Sequence, residues 1–329
     1  MPRRTLLLLS ILLLVGCNTA KEQGSGSGAG SGKLRFAVVP KGTSHEFWKS
    51  VHFGAEKAAQ ELGNVEVVWK GPIKESDTAS QVEVVKNMIT QQVDGICLAP
   101  NHSQGLVDVV NEADDEGIPV VIFDSGLGEG AGYVSYVATD NYQGGKLAAK
   151  QMAYAIGEKG NVILLRYRAG SESTEQREQG FLDGISEYPD ITVVSSDQYG
   201  EENASSAKAK VEQLLQVHGQ SLNGIFAVCE PNANGTLEAL RNTGHDKTVK
   251  FIAFDPSDSL IDAMKDGSCS GIVLQDPVQM GYMAVKTMAA HLKGEAPEKF
   301  ISTGEYVATA ENMEEERYQT LLKPKLFGE

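Results

Sequence analysis

Few residues in this sequence have the type and spacing that bond-making chemistry requires. Its six histidines show no metal-binding spacing such as H-E-x-x-H, so no metal is expected. No Gly-x-Ser-x-Gly nucleophile elbow is present. Gly28 to Lys33 has the tail of a phosphate-binding loop, but Ser27 stands where Gly is needed and Leu34 where Ser or Thr would hold magnesium. That stretch follows a linker and opens a strand, the reverse of a phosphate loop. Gly126-x-Gly128 leads into another strand-like run, Tyr133–Val137, and not into the helix of a dinucleotide site. No cofactor is therefore expected, and no enzyme. What remains is a set suited to binding: His45, Phe47, Trp48, Asp124, Arg177, Tyr199, Glu230, Asp255 and Gln275. Aromatic faces cover the C–H faces of a sugar ring, while carboxylate, guanidinium and amide groups make paired hydrogen bonds to neighbouring hydroxyls.

These residues share a place in the pattern of elements. From Lys33 onward short apolar runs alternate with helical spacing. Leu34–Val39, Val65–Trp69, Gly95–Leu98 and Pro119–Phe123 are expected strands. Phe47, Val51, Ala55, Ala58 and Leu62 mark a helix between the first two, and Val82, Val85 and Ile89 mark the next. The cycle repeats with strands Asn161–Leu165, Ile191–Val194, Gly224–Val228 and Val249–Phe254. Continuous apolar runs indicate strands covered by helices on both faces. The sequence therefore predicts an α/β fold of two similar lobes, each a doubly wound parallel sheet. In such sheets ligands bind beyond the carboxyl ends of the strands. His45, Phe47 and Trp48 follow the first strand, Asp124 the fourth, and Glu230, Asp255 and Gln275 later strands of the second lobe. Lys41 is expected as a rim charge, and Arg168 as an ordinary surface charge of its loop.

The chain resembles the ribose-binding-protein-like group of bacterial periplasmic (type I) sugar-binding proteins, the solute receptors of ABC transporters. The resemblance runs from Lys33 to about Ala310. It is carried by Phe47-Trp48, Ile118-Pro119-Val120-Val121-Ile122-Phe123-Asp124, Thr139-Asp140-Asn141 with Gly144-Gly145, Arg177-x-x-Gly180-Phe181, Phe254-Asp255-Pro256, and Gln275 before Asp276-Pro277. It implies a three-strand hinge, with crossings near Thr139, Gln275 and Glu305, and ligand in the cleft between the lobes. The implied N-terminal lobe is 33–139 plus 276–304, and the C-terminal lobe 140–275 plus 305–329. Phe47, Trp48 and Asp124 would face the ligand from the first lobe, and Arg177, Tyr199, Asp255 and Gln275 from the second. The sequence departs from the ribose pattern at Ala99, Ser125 and Cys229, which argues for a different sugar or polyol.

The N-terminus reads as an address. Arg3 and Arg4 precede an apolar run, Leu6 to Val15, too short to span a bilayer, which takes about 20 residues. Leu14-Val15-Gly16-Cys17 resembles the bacterial lipoprotein box, with Cys17 as the lipidated residue. Residues 1–16 are expected to be a signal peptide, and 17–32 the lipidated Cys followed by a flexible Gly/Ser linker. The 329 residues carry a net charge of −15, which argues against nucleic acid. Four cysteines do not make a disulfide scaffold. The reading is an extracytoplasmic, lipid-anchored monomer of the cell envelope that delivers a sugar or polyol to ABC permease subunits. A sensory receptor presenting the same ligand to a membrane signalling protein is the alternative. A LacI-type repressor core would need an N-terminal helix-turn-helix where the linker stands.

Overall fold

A computed structural model describes residues 32–328. The expected signal peptide, Cys17 and nearly all of the linker lie outside the described residues. The chain runs β1 (Leu34–Val39), α1 (Glu46–Leu62), β2 (Val65–Trp69), α2 (Thr78–Thr90), β3 (Gly95–Leu98), α3 (Val107–Asp115), β4 (Val120–Phe123) and β5 (Ser135–Ala138). It continues with α4 (Asn141–Ile156), β6 (Gly160–Arg166), α5 (Glu172–Ser186), β7 (Ile191–Tyr199), α6 (Ala204–His218), β8 (Leu222–Ala227), α7 (Glu230–Thr243), β9 (Lys250–Phe254), α8 (Asp258–Asp266) and β10 (Gly271–Leu274). Then come α9 (Pro277–Leu292), β11 (Phe300–Ser302), β12 (Tyr306–Ala308) and α10 (Glu316–Leu322).

The strands form two six-stranded sheets, ordered β11-β5-β4-β3-β1-β2 and β12-β10-β9-β8-β6-β7. The first is parallel throughout, and the second is parallel except where β12 joins β10 antiparallel. The two orders are equivalent position by position, as the repeated sequence pattern requires. β3, β4 and β10 are buried along their whole length, so helices cover both faces. The chain leaves the first sheet after β5, returns after β10 into α9, and crosses again between β11 and β12.

Paired glycines set one helix contact in each lobe. A Cβ on Gly54 of α1 would lie 1.9 Å from the Val278 carbonyl oxygen, and one on Gly281 of α9 2.0 Å from that of Val51. In the other lobe a Cβ on Gly145 of α4 would lie 2.1 Å from the Arg177 carbonyl oxygen, and one on Gly180 of α5 2.0 Å from that of Tyr142. Only glycine permits backbones this close. Gly180 of the Arg-x-x-Gly-Phe motif thus brings α5, and with it Arg177, against α4.

Candidate functional site

The carboxyl ends of both sheets face one cavity holding about 400 Å³ of empty space, part of it open to solvent. Its walls come from both lobes, which are closed on each other. The Ser173 N–H donates to Ser125 Oγ at 3.0 Å, Gly126 N–H to Glu172 Oε2 at 2.7 Å, and Ser103 N–H to the Gly170 carbonyl at 2.9 Å.

Asp124 and Asp255 occupy equivalent places, just past β4 and β9. Both have positive φ, 63° and 67°, and both donate their backbone N–H to the next strand, to Val137 and Val273. This held turn aims each carboxylate into the cleft. Lys41 Nζ lies 2.8 Å from Asp124 Oδ2 and donates to Ser173 Oγ across the cleft at 2.8 Å. Lys41 is only 4% exposed, so it is a member of the cavity wall and not the rim charge expected. It reaches Asp124 because β1 and β4 are separated by β3 alone.

Arg177 faces it from α5. Its Nε donates to Asn141 Oδ1 at 2.8 Å and Nη1 to the Val228 carbonyl at 3.0 Å, while Nη1 lies 3.7 Å from Asp255 Oδ2. The guanidinium sits 3.8 Å from the Phe254 ring centroid, a cation–π contact. Gln275 Nε2 donates to Asp255 Oδ1 at 2.7 Å, and its buried Oε1 has no hydrogen-bond partner among the described residues. That acceptor is free for a ligand hydroxyl. Burial pushes the Asp255 carboxyl above its ordinary range, opposed by the Arg177 charge and the Gln275 bond.

Phe47 and Trp48 form the aromatic wall, edge to face with ring centroids 5.0 Å apart. Trp48 is 3% exposed and packs into the first lobe's core as well as the cavity. Its Nε1–H donates to Glu75 Oε1 at 2.7 Å. Glu75 Oε1 also lies 3.0 Å from His45 Nδ1, and its Oε2 accepts from the Tyr167 hydroxyl at 2.9 Å. Glu75 thus ties the first lobe's helix α1 to the second lobe.

Burial pulls the His45 imidazole down, but the Glu75 bond and charge, with Glu230 and Glu202, outweigh it and lift the pKa to about 9. Burial pushes Glu75 up, and the His45 bond and charge, Lys41 and Trp48 bring it down to about 2. The His45 contribution to stability is complete below its ordinary value of 6.5 and fades as pH rises through 9. That of Glu75 is complete above 4.5 and fades as pH falls toward 2. The thermal midpoint is therefore expected to fall between pH 6.5 and 9, and Glu75→Gln to remove much of that fall. Calorimetric scans across that range check it; equal slopes for the two proteins would show that the pair is uncoupled from folding.

Glu230, the first residue of α7, is raised by burial to about 7, so near neutral pH it can donate or accept toward a hydroxyl. Cys229 lines the cavity, its thiol pushed up by burial.

Eight of the nine expected site residues line this cavity: His45, Phe47, Trp48, Asp124, Arg177, Glu230, Asp255 and Gln275. Tyr199 does not. It ends β7, the edge strand of its sheet, and is 37% exposed. The tyrosine at the cavity is Tyr167, just past β6, which pairs with a strand on each side. The rule that selected the other strand ends also points to Tyr167. Glu75 carried no such signal: it lies in the loop after β2, another edge strand. Arg168, expected as a surface charge, donates across the cleft to the Asn101 carbonyl.

Comparison with known proteins agrees with this fold. Residues 36–296 match the family described as the periplasmic binding protein domain. The chain is 27% identical to the ribose import binding protein of Bacillus subtilis, over 90% of this chain and 95% of that protein. It is 31% identical to an ABC transporter solute binding protein from Agrobacterium vitis bound with alpha-D-tagatopyranose, with a TM-score of 0.84, covering 89% of this chain and 100% of that one. A second such protein from Agrobacterium vitis, with bound D-fucose, is 34% identical at a TM-score of 0.84, covering 88% of this chain and 100% of that one. The chain belongs to the periplasmic binding protein family, within its ribose-binding-protein-like group of ABC transporter sugar-binding proteins.

Proposed function

We propose that this protein is a lipid-anchored, extracytoplasmic receptor that captures a neutral sugar or polyol, closes its lobes over it and hands it to an ABC permease, performing no chemistry itself. The hinge-bending bodies would be 33–139 with 276–304 and 140–275 with 305–329. One observation carries the reading: Asp124 with Lys41 on one lobe opposes Arg177, Asp255 and Gln275 on the other around a single cavity walled by Phe47 and Trp48. Cationic Lys41, His45 and Arg177 are matched by Glu75, Asp124 and Asp255, and burial holds Glu230 partly protonated near neutral pH, a balance that suits a neutral ligand. The paired acceptors and donors suit vicinal hydroxyls.

Two of the three departures from the ribose pattern do not line the cavity. Ser125 accepts from Ser173, and the Ala99 carbonyl accepts from Gln81 Nε2 at 2.8 Å. Cys229 does line it, where it offers no strong hydrogen bond. The fitting ligand class is therefore a pentose, a hexose or a related polyol. A thermal-shift panel of D-ribose, D-allose, D-arabinose, D-tagatose, D-fucose and matching polyols tests this. A rise in melting temperature with at least one of them supports the reading; no rise with any, beside a rise with amino acids, would overturn it.

Ligand binding is expected to change tryptophan fluorescence, and Trp48→Phe to remove most of the change. Trp48 lines the cavity, whereas Trp69 ends β2 and stacks on His52. An undiminished response in a Trp48→Phe protein that still binds by calorimetry would take Trp48 out of the site.

The lipobox at Leu14–Cys17 supports anchoring through Cys17; stable attachment needs more than one lipid chain. Cys17→Ala is expected to move the protein from the membrane pellet to the soluble fraction. Persistence in the pellet after a high-salt wash would contradict the anchor.

A further inference from the structure

The segment after α10 starts on one lobe and ends on the other. Leu321 and Leu322 are buried in the second lobe's core beside Leu260 and Phe251. Lys323 Nζ lies 3.9 Å from Asp258 Oδ1, on α8 of the same lobe. A few residues later the chain is docked on α1 of the first lobe. The Phe327 N–H donates to the Lys49 carbonyl at 3.1 Å. The Phe327 ring stacks on His52 with centroids 3.7 Å apart, and His52 stacks in turn on Trp69 at 4.2 Å. Lys325 Nζ stands 5.9 Å from the Phe53 ring centroid. Burial pulls His52 down to about 4, so at neutral pH the stack is between uncharged rings.

This crossing flanks the ligand site. Leu321, Leu322, Pro324 and Leu326 line a second cavity of about 950 Å³, part of it open to solvent, which shares Phe47, Glu230, Asp255 and Gln275 with the first. The span is also short. From Leu322 to Phe327 the chain reaches at most about 17 Å when fully extended. Hinge opening separates α1 from α8 and α10, so it must pull Phe327 off His52 or be resisted by it.

We propose that Lys323–Gly328 is a strap that fastens the two lobes together beside the ligand cavity, through the docking of Phe327 on α1, and biases the protein toward the closed form. The three passages of the chain between the sheets allow hinge motion; the strap adds to the hydrogen bonds across the cleft a further non-covalent tie that the motion must break.

The test uses ligand-free protein, so its outcome is independent of what the ligand is. Nitroxide labels are placed at Lys86→Cys on α2 and Gln213→Cys on α6, both exposed, in the full chain carrying Cys17→Ser. Cys229, which lines the cavity, is replaced by alanine in every variant, the parent included; Cys97 and Cys269 are buried in the cores and stay unlabelled. Pulsed electron spin resonance then reads the ratio of closed to open inter-lobe distances. Stopping the chain after Leu322 is expected to lower that ratio at least fivefold, and Phe327→Ala at least threefold. Phe327 is 47% exposed, so its truncation leaves folding intact and decides the matter if the shortened chain fails to fold. Coinciding distance distributions for Phe327→Ala and its parent, or a parent that is wholly open, would overturn the strap.

Discussion

Replacing Arg177 with alanine is expected to weaken ligand binding by roughly 30-fold or more. Truncating one partner of a buried, hydrogen-bonded charge pair costs ~2–5 kcal/mol, and about 1.4 kcal/mol is tenfold in Kd. Arg177 is 2% exposed and is oriented by Asn141, the Val228 carbonyl and the Phe254 ring. Its guanidinium is therefore fixed before ligand arrives, and little entropy is lost when ligand binds. Arg177→Lys keeps the charge but not the planar fork, and most of the loss should remain. The control is Arg241→Ala, which removes only an exposed ion pair with Asp266. Such pairs contribute about 0–1 kcal/mol, and this one lies on α7 outside the cavity wall. Its Kd should stay within about twofold. Titration calorimetry on the three variants with the best sugar of the panel checks the ordering. Small and equal losses for Arg177 and Arg241 would mean that Arg177 serves the fold alone.

Gly145→Ala should cause a large loss of stability. Its added methyl would meet the Arg177 carbonyl oxygen at 2.1 Å and the Phe181 nitrogen at 2.8 Å. Both are backbone atoms, which cannot rotate away as a side chain can. Overpacking costs typically ~1–3 kcal/mol, and this contact belongs at or above the upper end. Relief requires α5 to move off α4, which displaces Arg177 with it. A fall in affinity is therefore expected beside a fall in the urea midpoint. A variant less than about 1 kcal/mol weaker, with unchanged Kd, would show that α4 and α5 are not in backbone contact.

What the sequence revealed and what it hid have separate physical causes. Runs such as Gly95–Leu98 and Val120–Phe123 are buried on both faces, and burial on both faces leaves an uninterrupted apolar signature. The three-residue strands β11 and β12 leave none, because Phe300 and Ser302 are exposed and Tyr306 only half-buried. Asp124 and Asp255 were legible because they end strands that pair on both sides. Tyr199 misled because strand order, which makes β7 an edge, is a property of the assembled sheet. Lys41 and Glu75 were hidden for a related reason. Their partners, Asp124 and Ser173 for one and Tyr167 for the other, lie far along the chain. No local pattern records that closing two lobes buries a lysine or a glutamate.

The most direct test of the binding site is a crystal structure of the protein grown with the best sugar of the panel. The account predicts one sugar ring in the cavity of about 400 Å³, one face against Phe47 or Trp48, with hydroxyls within hydrogen-bond distance of Asp124, Arg177, Asp255 and Gln275. A ring bound elsewhere, with these four side chains turned to one another and untouched by ligand, would contradict it.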